Sequence, residues 1–363
     1  MFSTLIKYKI EILKNNFLQN DFTHISHTMD TMSTYSCFLC NKVYKTVRGL
    51  ERHQLIKNHQ KVSKPFAITT LVMIDPLFAH GATVLAHSVR QHCDMTKIDL
   101  VCMVTEDIPE SYRDFLGLIY DHVIVVPKIE VNVIDWGSKK QQMVYGPWIQ
   151  YGPTKWNCLN FVQYQKVMFM DSDVIVNHDI THLFDLQAPA GTFSNPWTRP
   201  YNPNGLMPVF GTLKTGDRVS NAGIDQVLTC SNRPMRQQVV IGTTVVLEPS
   251  HDVFETMMNL ITKVNVSKTP AFTRCLSGAD EQILVMAYRE YKDVSWTAID
   301  QRYNFILRHT EWFVDFEEAD RIPFVIHYHG SKPWKLSRTE YPDLVAWWKV
   351  RDSMEKKYPQ LKI

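Results

Sequence analysis

The segment Gln165-Lys166-Val167-Met168-Phe169-Met170-Asp171-Ser172-Asp173-Val174-Ile175-Val176 constrains the fold more than any other. An apolar, β-prone run of this kind reads as a buried strand, and it ends in two carboxylates spaced i and i+2. Side chains alternate across a strand, so Asp171 and Asp173 are expected to point the same way. In an open α/β sheet, ligands collect beyond the carboxyl ends of the strands. Two hard oxygen donors there suit a divalent metal that keeps positions open for phosphate oxygens. The same residues also fit a strand-end turn with two solvated aspartates.

A second segment, Phe324-Val325-Ile326-His327-Tyr328-His329-Gly330-Ser331-Lys332-Pro333-Trp334, repeats the pattern. An apolar run again ends in a candidate metal ligand, and a lysine follows a glycine. Glycine permits close approach of backbone to a pyrophosphate, and a lysine neutralises phosphate charge. A histidine, two aspartates and a diphosphate complete a manganese coordination sphere. The competing reading of His327 is a buried histidine donating to a backbone carbonyl.

These motifs resemble glycosyltransferase family 8, the glycogenin-like enzymes, over residues 66 to 348. Ala67-Ile68-Thr69-Thr70-Leu71-Val72-Met73 through Gly81-Ala82-Thr83-Val84-Leu85 resembles the uridine-binding start of that family. Pro153-Thr154-Lys155-Trp156 resembles its donor-phosphate lysine segment, and Tyr303-Asn304-Phe305 its Tyr-Asn motif. His327 to Trp334 resembles its closing histidine-glycine-lysine-proline-tryptophan signature. Each motif alone is weak; four in the right order are specific. The chain also departs from the pattern. Only one residue separates Gly330 from Lys332, which leaves His327 and His329 both open as ligand, with spacing from the strand favouring His327. Ile241 stands where the family has a sugar-contacting asparagine, and Glu281 stands for a glutamine beside Asp280. These changes bear on the sugar and the acceptor more than on the reaction type.

The resemblance implies an α/β, nucleotide-diphospho-sugar transferase (glycosyltransferase A) fold with a mostly parallel central sheet. It implies a retaining glycosyltransferase that moves a hexose, of the glucose type, from a UDP-sugar to a hydroxyl of a glycan or protein. Asp171, Asp173 and His327 are then the manganese ligands. Donor binding falls to Thr70, Leu71, Phe78, Lys155, Asp171, Ser172, Asp173, Gly330 and Lys332, with Phe78 offering an aromatic face to uridine. Lys332 and Lys155 add positive charge where the β-phosphate develops negative charge. Asp280 holds sugar hydroxyls or stabilises oxocarbenium character, and it also suits the N-cap of a helix from Glu281 to Arg289. Asp280 and Lys332 are thus the catalytic candidates.

A different chemistry sits near the amino end. Cys37 and Cys40 are followed by His53 and His59, the zinc-ligand spacing of a ββα finger. Tyr44 and Leu50 supply the apolar residues such a finger needs, and zinc ligation would supply most of its folding energy. Lys42, Lys45, Arg48, Arg52, Lys57, Lys61 and Lys64 make the segment basic. RNA or DNA phosphate contact, protein docking and a merely solvated face all fit that charge.

The domain reading follows: a weakly ordered segment over 1–34, the finger over 35–60, the transferase domain over 66–350 and a C-terminal tail over 351–363. Strand patterns at Ile98 to Thr105 and Val123 to Pro127 alternate with helical ones at Glu110 to Leu118 and Thr154 to Tyr164, as in a parallel sheet flanked by helices. The proline- and glycine-rich stretch from Ala188 to Gln237 reads as a loop, either building the acceptor side or an insertion. A net charge of +2 gives no general pull toward nucleic acid or membrane. No apolar run reaches the length of a membrane span. The broken apolar pattern of Met1 to Leu18 is no secretory signal, and the seven cysteines are scattered apart from the finger pair. Both features point to a reducing, cytoplasmic location, where the Asn265-Val266-Ser267 sequon is a chance match. Against the enzyme stands a reading from another class: a nucleic-acid- or protein-binding finger protein with a degenerate transferase scaffold. Aspartates, histidine and lysine retained together favour the enzyme.

Overall fold

The computed structural model describes residues 35–36, 43–44, 64–132, 139–193, 213–222, 224, 240–267, 279–292, 294–307 and 322–362. The chain divides into Met1–Ser33, which lies outside the described residues, and Thr34–Ile363. In the second unit, β1 (Tyr35–Ser36) pairs antiparallel with β2 (Val43–Tyr44). The four zinc-ligand candidates, Cys37, Cys40, His53 and His59, lie outside the described residues.

The central sheet begins with β3 (Phe66–Val72), flanked in parallel by β4 (Ile98–Val104) and β6 (Lys166–Phe169), with β5 (His122–Val125) parallel to β4. Beyond β6 come β10 (Val245–Leu247), β8 (Ala190–Thr192), β11 (Trp296–Ile299) and β9 (Arg218–Val219), in the spatial order β5-β4-β3-β6-β10-β8-β11-β9. The pairings of β10 with β6 and β8, and of β9 with β11, are antiparallel, while β8 and β11 run parallel. The α/β expectation with a mostly parallel sheet holds.

All seven residues of β4 are buried, because a strand covered on both faces has no solvent side and reads as a continuous apolar run. Alternate residues feed two cores. Ala67, Val101, Met103, Val167 and Phe169 pack on one face against α4 (His251–Ser267) and α5 (Ala279–Lys292). Ile68, Leu100, Cys102, Met168 and Met170 pack on the other, against α1 (Phe78–His92) and α6 (Leu344–Lys357). Two shorter helices, α2 (Glu110–Gly117) and α3 (Lys139–Ile149), fall between β4 and β6 along the chain.

Four sequence expectations change. The helix read over Thr154 to Tyr164 is a 3-10 helix, Gly152–Asn160, whose side chains are buried almost throughout. The loop read over Ala188 to Gln237 contributes β8 and β9 to the central sheet. The strand read as running into Asp171 and Asp173 ends at Phe169, and β7 (Val174–Val176) follows the aspartates in a separate two-stranded sheet with β12 (Val325–His327). Finally, α6 runs across the boundary drawn at 350, and Met354 and Leu361 of the supposed tail are fully buried. The spacing of Met354 from Leu344 and Trp347 follows the helical period, so these three share one face, and Leu361 lies in the 3-10 turn Pro359–Leu361 that follows.

A short 3-10 turn, Gln301–Asn304, carries the chain from β11 toward β12. Asp300 caps it: one carboxylate oxygen accepts from the Arg302 backbone N–H at 3.0 Å, and the other from Thr215 Oγ1 at 2.9 Å and from the Arg302 guanidinium at 2.8 Å. Burial alone would raise this carboxyl's pKa, but the bonds from Arg302 outweigh it and hold the group below the usual carboxylate range. Replacing Asp300 with alanine is expected to cost about 2 kcal/mol near neutral pH, as for other caps and buried charge-assisted bonds. A depressed folded pKa gives stability that is complete above the unfolded carboxylate pKa and fades as pH falls toward the folded one. Denaturant unfolding of Asp300→Ala beside the parent should therefore show a gap that narrows on acidification.

Candidate active site

The break between β6 and β7 builds the site. β6 ends at Phe169, the chain turns through Asp171-Ser172-Asp173, and β7 then pairs antiparallel with β12 so that Val174 faces His327. The Tyr328 N–H donates to the Asp173 carbonyl at 2.9 Å, closing the pair at its end. This register brings ligand atoms of Asp171, Asp173 and His327 within 4.8 Å of one another, a group able to hold a metal ion. The two aspartates converge through a turn rather than through strand alternation. Asp173 and Ser172 are buried, whereas the Asp171 side chain keeps 28% of its exposure.

Helix α1 presses on this turn. A Cβ at Gly81 would collide with the Ser172 carbonyl oxygen and the Trp334 ring, so the close approach requires glycine. Trp334 in turn meets Phe78 edge-to-face at 5.1 Å between centroids, and Lys335 Nζ sits 5.8 Å from the Phe78 ring centre. Phe78 is therefore engaged with the closing motif. Thr70, at the carboxyl end of β3, is buried with a hydroxyl that has no partner among the described residues. Leu71 is half-buried against the core on the α4 side.

His327 is fixed by a residue whose role the sequence did not reveal. Its Nδ1 lies 2.7 Å from Asn304 Oδ1, and its Nε2 lies 3.6 Å from Asp173 Oδ2. An amide oxygen only accepts, so Nδ1 carries the proton and Nε2 turns its lone pair toward the aspartates. His329 is exposed, with its ring centre 5.9 Å from that of His327. Gly330 adopts φ +88°, a left-handed conformation that lets the chain fold back. Lys332 thereby ion-pairs with Asp173 Oδ2.

The two carboxyls are driven apart. Burial pushes Asp171 above the usual carboxylate range, with the Asp173 charge adding to the effect of burial against the pull of Lys155. Burial also acts to raise Asp173, but the positive charge of Lys332 beside it overcomes this and holds that group far below the range.

Lys155 joins Asp171 to a second carboxylate. Its Nζ is 2.7 Å from Asp280 Oδ2 and 3.4 Å from Asp171 Oδ1. Burial would lower its pKa, yet the neighbouring carboxylates, Asp171 and Asp280 foremost, hold it well above the ordinary lysine value. Trp156 Nε1 donates to the Asp280 carbonyl at 2.8 Å, which pins the start of α5. Two threonines tie these parts together. Thr243 Oγ1 accepts from the Asp171 N–H at 3.1 Å, and Thr244 Oγ1 donates to the Tyr303 carbonyl at 2.8 Å. Thr244 does so at φ +55°, a conformation unusual for a β-branched residue. The Thr243-Thr244 pair lies far from Asn304 and Asp171 in sequence, and nothing in the spacing signals this convergence.

Comparison with known proteins agrees with the geometry. Glycosyl transferase family 8 matches residues 38–195, a segment that ends just past the aspartate turn and β8. Human glycogenin-1 is 33% identical over 137 residues, covering 38% of this chain and 37% of that protein. The chain is a glycosyltransferase. The mimivirus protein R707 (Acanthamoeba polyphaga mimivirus) is 27% identical over 270 residues, covering 74% of this chain and 82% of that protein. Galactinol synthase 2 of Arabidopsis thaliana is 28% identical over 269 residues, covering 72% and 71%. The match thus spans most of the viral and plant proteins but well under half of human glycogenin-1. No helix among the described residues of this glycosyltransferase is long and apolar enough to cross a membrane.

Removing the partner that orients a ligating histidine commonly weakens metal binding about 10- to 100-fold. Asn304→Ala should show that loss in calorimetric titration with a divalent metal, with His327 Nε2 no longer held toward Asp173.

Proposed function

We propose that this glycosyltransferase moves a hexose, of the glucose type, from a UDP-sugar to a hydroxyl acceptor with retention, using a bound divalent metal. The observation that carries this reading is the meeting of Asp171, Asp173 and His327 at one point, with Lys332 and Lys155 on the same carboxylates. Two carboxylates and an imidazole suit manganese, a borderline ion that accepts both oxygen and nitrogen donors. The buried Asp173 charge, now balanced by Lys332, fits a site built to hold more than one positive group. When bound, manganese supplies Lewis-acid charge to the diphosphate.

The protein groups do the rest. Asp171, Asp173 and His327 hold the ion. Lys332 meets the phosphate charge that grows as the sugar leaves, and Lys155 keeps Asp171 and Asp280 in register. Asp280, fixed by Lys155 and the Trp156 indole, faces the sugar hydroxyls. The buried hydroxyl of Thr70, Leu71 and the start of α1 around Phe78 lie on the uridine side, with Ser172 and Gly330 lining the approach to the diphosphate. Phe78 acts there mainly by seating Trp334. The acceptor is a glycan or protein hydroxyl. Zinc at Cys37, Cys40, His53 and His59 makes the amino-terminal segment an accessory finger, suited to docking or to phosphate contact with RNA or DNA, and the protein works in the cytoplasm. A degenerate scaffold would give no reason for three ligands and two lysines to converge.

UDP release with manganese, screened across UDP-sugars and hydroxyl acceptors, tests the proposal beside the Asp171→Asn/Asp173→Asn double variant. Release with a single hexose donor, reduced at least about 100-fold in the variant, is expected when metal charge stabilisation is lost. Silence with every donor and acceptor, or release untouched in the variant, would overturn it.

A further inference from the structure

Glu281 follows Asp280 in the first turn of α5 and is as deeply buried as its neighbour, at 7% and 2% exposure. Its Oε1 accepts from the Gly242 N–H at 3.0 Å. The two carboxyls, Asp280 and Glu281, are neighbours in that turn, and each bears on the ionisation of the other. Two buried carboxyls side by side resist both being charged, so one of them keeps its proton. Lys155 decides which one. Its Nζ lies 2.7 Å from Asp280 Oδ2, which stabilises Asp280 as the anion.

The surroundings are shaped for this arrangement. A Cβ at Gly242 would sit 2.8 Å from Lys155 Nζ and would also crowd the Glu281 carboxyl, so only glycine leaves room for both groups. A Cβ at Gly152 would lie 3.0 Å from Asp280, closing the other side. The charged groups that bear on Glu281 are Asp280 on its own helix, Lys155 from the 3-10 helix, and Asp171 beyond Lys155. The strand-entry segment at Gly242 brings a backbone donor and no charge. One cation, Lys155, thus serves three carboxyl groups, too little positive charge for all three to be ionised in a buried site.

We propose that Glu281 is a positioning residue that works as a neutral acid, holding its proton against Asp280 so that Asp280 stays ionised and aimed. This rests on the transfer reading above and deepens it: the carboxylate expected to face the sugar is oriented by a carboxylic acid beside it and a lysine behind it. Burial, then the Asp280 charge, pushes the Glu281 carboxyl well above the usual range, in keeping with a proton held near neutral pH. A raised pKa means that the neutral form is lost as pH rises, so activity should fall on the alkaline side as Glu281 ionises. Glutamine at this position would keep the shape and a hydrogen-bond donor without titrating.

The test pairs kinetics with a spectroscopic readout that needs no turnover. Infrared difference spectra of the full chain near neutral pH should show a buried protonated carboxyl that disappears in Glu281→Gln. In UDP-release assays, Glu281→Gln should keep kcat within about threefold and lose the alkaline limb, while Glu281→Ala should lose about 30-fold in kcat with donor KM little changed. Glu281→Gln as impaired as Glu281→Ala would overturn the proposal, because Glu281 would then act as an ionised carboxylate. A wild-type protein with no protonated carboxyl would overturn it as well. A protonated carboxyl lost in Glu281→Gln, with no turnover from any donor, would support the neutral acid and overturn the transfer reading instead.

Discussion

The antiparallel pairing of β7 with β12 is the contact on which the site depends. Nothing in the local sequence brings Asp173 and His327 together; the pairing of Val174 with His327, closed by the bond from Tyr328 N–H to the Asp173 carbonyl, does so. β12 is held on its other edge by Phe305, whose backbone exchanges bonds of 2.9 and 2.8 Å with Val325 and His327. That second edge delivers Asn304 to the far nitrogen of the His327 ring. A one-residue slip would turn every side chain to the opposite face and scatter the three ligands. Register is therefore the constraint, and the buried apolar residues of β7 and β12 enforce it.

Electrostatics then divides labour among groups of the same chemical type. Asp171 and Asp173 lie in one turn, yet one is pushed toward its neutral form and the other held ionised, because the Lys332 charge presses on Asp173 while burial dominates at Asp171. The same logic separates Asp280 from Glu281, with Lys155 as the deciding charge. Lone charges in such surroundings would be costly to bury, and pairing lowers that cost only where geometry is close. The glycines at 81, 152 and 242 supply that closeness, each at a point where a methyl group would crowd the cluster.

Much of this was legible in the sequence, for reasons that can be named. Continuous apolar runs around Ile98 to Val104 and Lys166 to Phe169 read as strands because both their faces are covered. The aspartate turn and the histidine-glycine-lysine segment stood out because charge at the end of an apolar run is unusual. Within the same motif, burial of His327 and exposure of His329 favour the former as the ligand. The 3-10 helix at Gly152–Asn160 was hidden because its buried, mixed composition has no 3.6-residue period. β8 and β9 were hidden because strands of three and two residues carry too little pattern to stand out among prolines and glycines. Asn304, Thr243 and Thr244 act through backbone and side-chain contacts to distant residues, which periodicity does not report.

The account stands or falls on whether the aspartate–histidine cluster is a joint site for metal and diphosphate. Electron paramagnetic resonance of manganese bound to the full chain, with and without UDP, measures this directly. Coupled sites must help each other equally, so UDP should tighten manganese at least about tenfold, and His327→Ala should abolish that gain. Manganese affinity indifferent to both UDP and His327→Ala would contradict it.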